Sequence, residues 1–423
     1  MSGKRTAVPM RLSDEALLET VQRQTFRYFW DFADPGSGMA RDRFGGNDGW
    51  LVTGGSGMGA MAIIVAADRG WVTREAAVER LHLMLRFLER CDSYHGALPH
   101  FVTPEGRTIR FGRKDDGADI VETALLVQGL IAARQYFAAD TGKEPWLRGR
   151  IDGLVSAIEW DWFTRDGREA YYWHWSPNHG FGLNHELLGW NECLIALVLA
   201  AGAERGAIDP AVYHNGFTQS RTFLNGRDHQ SNEHIRLPLG PDGGGPLFFA
   251  HYSFLGLDPR GLKDAYADYW AQNTAHVAIN RAYCVRNPKN FAGYGPDCWG
   301  LTASDSHEGY SAHAPDNDLG VIAPTAAVSS LPYAPEAVMP VIRHFYEDLG
   351  PKIWRDYGFV DAFNETVGWS AKTHLAIDQG PIIAMIENHR SGLLWRLVMQ
   401  DPMVRRGLTR LGFTSPHLDA AAV

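Results

Sequence analysis

Cysteine is scarce in this chain. The four in 423 residues (Cys91, Cys193, Cys284 and Cys298) stand far apart, with no Cys-x-x-Cys pair. That excludes a disulfide scaffold and a zinc ribbon and leaves four reduced thiols. Basic residues are outnumbered, 40 Lys and Arg against 49 Asp and Glu, for a net charge of −9. The chain therefore offers neither the basic face a nucleic acid requires nor one for anionic lipid. No apolar run reaches the ~18 residues of a membrane span, and MSGKRTAVPMRLSDEALLE has no apolar segment of the signal-peptide kind. The expectation is a cytoplasmic chain without membrane insertion, periplasmic only if a leader has been removed. Strand-like alternation is rare, no βαβ order is visible, and neither short repeats nor a Ser-, Pro- or charge-rich linker marks a boundary.

What is present is apolar and helical. Hydrophobic residues make up 45% of the chain, enough for a large core and against disorder. Ser13 reads as an N-cap, with Asp14 and Glu15 in the first turn and Leu17, Leu18, Val21, Phe26, Phe29 and Trp30 at helical spacing toward Ala33. Further helices are predicted to start near Gly57, Thr73, Asp119, Glu144, His185, Pro246, Lys263, Ile322, Ala334, Asp378 and Asp401. About twelve helices without a break predict an all-α fold, six hairpins closed into an (α/α)6 barrel, with a solenoid of helix pairs as the alternative. The expected organisation is a tail over 1–12, one large domain over 13–413 and a tail over 414–423. Long connections at 34–56, 92–118, 164–184, 215–245 and 286–321, rich in Gly, Asp, His and aromatics, are where function is expected.

Two acidic groupings carry potential chemistry. In RKDDGADIVET, offsets of four and seven would bring Asp115, Asp119 and Glu122 onto one helix face, where repulsion raises at least one pKa. The same Asp119-Ile-Val-Glu122 spacing is also a capping box. In HELLGWNECLIALVLAA, Glu192 stands among apolar residues on a predicted helix, with Gly189 on the same face leaving room for a ligand and Trp190 as a wall. A carboxyl in such a place keeps its proton and suits a general acid, or else pairs with an arginine across the core.

Aromatics, at 12% with 14 Trp, are abundant. Tyr172, Trp173 and Trp175 in AYYWHWSPNHGFG, and His251 and Tyr252 in FFAHYSF, suit stacking on sugar rings as a group, although a single Trp more often anchors its loop. SDSHEGYSAHAPDND supplies Asp305, His307, Glu308 and His313, and DAFNETVGWS supplies Asp361, Asn364 and Glu365. Neither has a metal-ligand spacing, so no metal is expected. Gly57-x-Gly59-x-x-Ala62 lacks the βαβ setting and acidic partner of a dinucleotide site, His185-Glu186 is one residue short of a zinc motif, and no G-x-S-x-G or Walker loop occurs.

Taken in order, TFRYFWDFADP, RKDDGADIVETA, LGWNECL, LTASDSHEGYSAHAP, IAPTAAVSSLPYAPE, GFVDAFNET and IDQGPIIAMIENHRSGLLW resemble the glycoamylase-like domain of bacterial β-1,2-glucan hydrolases, glycoside hydrolase family 144, from about Leu17 to about Phe413. The resemblance implies an (α/α)6 barrel and anomer-inverting hydrolysis of β-1,2-glucan or sophoro-oligosaccharides without metal or cofactor. It implies Glu192 as general acid, Asp115, Asp119 and Glu122 as functional acids with the base unassigned among them, and Glu365 in the same cleft. Inversion would separate acid and base by about 6.5–9.5 Å. The substrate-binding set expected alongside is Trp190, Tyr172, Trp173, Trp175, His251, Tyr252, His307, Glu308 and Glu365. The only partner expected is a glucan; a transglycosylase, a hydrolase of another β-glucan and a non-catalytic sugar-binding protein are the competing readings, endo or exo cleavage and oligomeric state staying open.

Overall fold

The computed structural model describes residues 11–46, 49–226, 228–229 and 235–419; most of the expected N-terminal tail and residues 420–423 of the C-terminal one lie outside them. Among the described residues the chain is mainly helical. The helices are α1 (Asp14–Trp30), α2 (Thr53–Asp68), α3 (Arg74–Leu88), α4 (Ile120–Tyr136), α5 (Glu144–Ser156), α6 (Leu194–Gly202), α7 (Tyr269–Arg286), α8 (Pro324–Val328), α9 (Pro335–Arg343), α10 (Gly350–Ile353), α11 (Ala376–Arg390), α12 (Leu393–Gln400), α13 (Pro402–Arg410) and α14 (Pro416–Asp419). The strands are two-residue pieces in the connections.

Side-chain chemistry sorts these helices by depth. α2, α4 and α6 are apolar around most of their circumference and buried along nearly their full length, as is α11. α1, α3 and α5 bury one stripe and expose the other. α2 packs along α4, α11 against α1 and α2, and α13 along α6. Two of these contacts close at backbone level. A Cβ at Gly57 would stand 2.3 Å from the Leu125 carbonyl oxygen, and one at Gly129 2.0 Å from that of Gly57. Gly202 and Gly407 make the equivalent contact between α6 and α13. The Gly57–Gly59 string thus serves helix packing.

Expected caps are present where a side chain can accept from the first turn: Ser13, Thr73, Asp119 and Asp401 each do so. Other starts move. α2 begins four residues before Gly57. The helix expected from His185 begins only at Leu194, because Asn184 (φ +50°) and Gly189 (φ +82°) turn the chain out of helical geometry. Pro246 opens two short 3₁₀ turns, Leu247–Ala250 and Ser253–Leu255. The start expected at Lys263 shifts to Tyr269, since the Lys263 backbone is bonded both ways to Thr414 and Asp268 is the side chain that caps.

Candidate active site

The N-terminal ends of the buried helices gather acids around one interior space that is partly open to solvent at Glu192. Gly54 is in the first turn of α2, Asp119 caps α4 and Glu122 is in its first turn, Glu192 precedes α6 by two residues, and Asp378 is in the first turn of α11. A helix N-terminus carries partial positive charge and free N–H groups, so it favours carboxylates there. The Gly54 N–H donates to Glu122 Oε2 at 2.6 Å. The charges of Glu192, Glu122 and Asp378 all act on Tyr252, which places the three acids around one space.

Asp115, Asp119 and Glu122 meet, but not on a helix face. Asp119 sits in a two-residue strand paired with His174–Trp175, opposite His174. Its Oδ1 accepts from the N–H groups of Val121 and Glu122, while its own N–H donates to the Leu98 carbonyl, so the return half of a capping box does not form. Two imidazoles join the acids. His100 Nδ1 donates to Asp119 Oδ2 at 3.0 Å, and its Nε2 stands 3.8 Å from Glu122 Oε1. His174 Nε2 is 3.4 Å from Asp115 and 3.6 Å from Asp119. Asp119 is fully buried between two histidines, which hold its pKa below the usual carboxylate range despite the loss of water. Burial raises Glu122 to about 6 and also raises Asp115.

Glu192 lies in a turn, not on a helix. The Ser253 hydroxyl donates to its carbonyl and accepts from the Ile195 N–H, tying the turn to α6. No arginine pairs with its carboxyl among the described residues. Its side chain is deep in the protein yet partly open to the cavity, and loss of solvation, with Glu122 and Asp119 nearby, raises it to about 7. Gly189 leaves no room for a ligand: a Cβ there would meet the Thr222 hydroxyl at 2.2 Å. Trp190 is buried against Phe223, Phe254 and Tyr269, so it is a core residue rather than a wall.

A second acidic group joins residues that sequence reasoning named apart: Asp305 and Asp361 as loop acids, Asp378 only as a helix start. Asp361 and Asp378 are buried within electrostatic reach of each other, and burial raises both, Asp361 to about 7. The Asp305 N–H donates to Asp361, and the Asp305 carboxylate takes the Arg43 guanidinium and the Thr373 hydroxyl. Arg43 also contacts Asp42. The ring of Tyr310 is half-exposed in this acidic surrounding, and Phe111, also exposed, stacks on His100 at 4.8 Å. A polar loop residue next to an aromatic was the only signal for these in the sequence.

The expected platforms fare differently. Tyr172 is buried, donating to Glu186. Trp173 stacks between His174 and His185, and Trp175 packs on His95, Trp162 and Tyr94. These rings anchor the loop that presents His174. His251 is a core residue bonded to Ser330, and burial lowers it to about 3. His307 contacts Glu308 and Trp369, and Glu308 is exposed; neither bonds to the acidic groups. Glu365 pairs with Lys352 at 3.2 Å in a separate hollow of about 390 Å³ beside Trp369, so Asp361, not Glu365, is the acid its segment brings to the cavity. Among the described residues no group of His, Cys, Asp and Glu could hold a metal ion, and no helix is long and apolar enough to cross a membrane.

The chain belongs to the glycoamylase family: its model, described as "Putative glucoamylase", matches residues 184–402. A solved structure from Bacteroides uniformis with that same description is 56% identical at a TM-score of 0.95, covering 97% of this chain and 100% of that one. An endo-beta-1,2-glucanase from Chitinophaga pinensis, solved with sophorotriose and glucose, is 49% identical at 0.93, covering 96% and 100%. An exo beta-1,2-glucooligosaccharide sophorohydrolase (non-reducing end) of Parabacteroides distasonis is 41% identical over 428 residues; the match takes in 96% of this chain, which spans 59% of that protein's length. The family expected from the ordered motifs is therefore the one found.

Proposed function

We propose that this chain is a single-domain (α/α)6 glycoside hydrolase that cleaves β-1,2-glucosidic linkages in β-1,2-glucan or sophoro-oligosaccharides with inversion. The observation that carries the reading is Glu192: a carboxyl raised to about 7, partly open to the cavity and within electrostatic reach of a second acid. It protonates the glycosidic oxygen as the leaving sugar departs. Glu122, raised to about 6 and fixed by the Gly54 N–H, activates water on the opposite ring face, directly or through an intervening hydroxyl. Asp119 is enclosed by protein donors and cannot present its carboxylate to water. The names of the relatives from Chitinophaga and Parabacteroides support the linkage, and their differing modes leave product size to decide endo against exo.

Purified protein and its Glu192→Gln variant, incubated with linear β-1,2-glucan and with short sophoro-oligosaccharides and followed by NMR, test this. The expected result is new reducing ends that appear first in the α configuration. Turnover should fall about 10²–10⁴-fold in the variant, the range for loss of a general acid, while oligosaccharide binding survives. Products that appear first as the β anomer, or a variant as fast as the parent, would overturn the mechanism.

A further inference from the structure

The base assigned above has a buried carboxylate's problem: it must be ionised to work, in surroundings that disfavour charge. The groups facing Glu122 are Asp119 from the cap of its own helix, Asp42 from the segment before α2, Glu192 from the turn before α6, Tyr252 from the 3₁₀ segment and His100 from the 92–118 connection. Four are acidic or neutral. Arg43, close by, is taken up by Asp42 and Asp305. Among the described residues His100 is the sole basic side chain within 4 Å of the Glu122 carboxylate.

The structure fixes His100 firmly. The Thr53 N–H at the start of α2 donates to its carbonyl at 3.1 Å, and two residues back Leu98 accepts from the Asp119 N–H at 2.8 Å. The ring packs against both Phe111 and Phe101, which also touch each other, and its side chain is about one-fifth exposed. One ring nitrogen faces Asp119 and the other Glu122; an imidazole with a carboxylate at each nitrogen keeps both N–H bonds and a positive charge.

We propose that His100 is a positioning residue for hydrolysis, its imidazolium anchored by Asp119 and holding the Glu122 carboxylate ionised and turned toward the substrate. This rests on the assignment of Glu122 as base. It also gives buried Asp119 a role, since that carboxylate aims and charges the ring without meeting substrate. The direction of the shift agrees: burial alone would lower His100, yet Glu122, Asp119 and Asp115 together bring it to about 9.

The test is the pH profile of kcat/KM on a sophoro-oligosaccharide for the parent, His100→Gln and Glu122→Gln. The expected result for His100→Gln is kcat lowered at least about 10-fold with KM changed less than about 3-fold. Its acid limb should move upward by about one pH unit, because Glu122 has lost its cation, and its alkaline limb, set by Glu192, should stay. A His100→Gln profile that superposes on the parent's while Glu122→Gln is inactive would overturn the proposal and leave the reaction intact. A Glu122→Gln variant as active as the parent would instead sink the assignment on which it rests. Should His100→Gln fail to fold, NMR titration of the imidazoles in the parent and in Glu122→Gln decides. His100 should stay protonated through pH 8 in the parent and lose its proton at least one unit lower in the variant; a neutral His100 at pH 7 in the parent overturns the proposal.

Discussion

Two carboxyls raised by different amounts set a narrow working range. The proposed mechanism requires Glu122 ionised and Glu192 protonated, and with values of about 6 and about 7 both conditions are best met together between those limits. kcat/KM against pH should therefore be a narrow bell with its maximum between pH 6 and 7, apparent limbs belonging to the coupled group as a whole. Glu192 also has a measurable stability signature. Its folded pKa lies above its ordinary 4.5, so the folded chain binds the extra proton, and the associated stability is present below pH 4.5 and lost as pH rises through 7. Glu192→Gln should be more stable than the parent at pH 8 by about 1–3 kcal/mol, with the advantage shrinking toward pH 4.5, as denaturant melts at both pH values would reveal. At this scale the sequence was legible where a motif gave the residue a context: Asp115, Asp119, Glu122 and Glu192 do converge. Asp378, His100 and His174 had no such signal. Their partners, Asp361, Glu122 and Asp119, come from segments whose meeting depends on how whole helices pack, and no local spacing encodes that.

Helix caps and apolar stripes translate directly into structure, whereas glycines mislead. The apolar sequence around Glu192 reads as helix throughout, yet the positive φ at Gly189 delays the helix to Leu194, and this delay is what leaves the carboxyl in a turn facing the cavity. Gly57, readable as part of a nucleotide loop, is the contact point of α2 with α4. Gly57→Ala would press a Cβ against backbone atoms of Leu125 and Leu126 that cannot swing away, with an expected loss of about 1–3 kcal/mol or more. Gly149→Ala, in α5 with nothing within 4 Å of the new Cβ, should instead gain up to about 1 kcal/mol through helix propensity. Thermal melts of the two variants, differing by one methyl group each, should move in opposite directions; equal shifts would contradict the packing described for α2 and α4.

Across the whole molecule, a net charge of −9 and a cavity ringed with acids suit an uncharged substrate and disfavour an anionic one. Hydrolysis of neutral oligosaccharides should change less than about twofold between 0.05 and 0.5 M salt, because screening has no substrate charge to act on; a steep salt dependence measured by initial rates would point to a charged substrate. The helical class was readable from the sequence, as was the family from the order of its motifs. The layering was not, because it depends on which helices are apolar all round, a property visible only when each helix has its limits. The meeting of α2 and α4 has one more consequence. Because their backbones touch at Gly57 and Gly129, with Gly54 one turn from that contact and Glu122 two, the spacing between the Gly54 N–H and the carboxylate it holds is set by a hard stop rather than by compressible side chains. Such a joint does not loosen gradually on warming. Activity should keep climbing with temperature until the fold itself gives way, so that heat inactivation is abrupt instead of a slow fading.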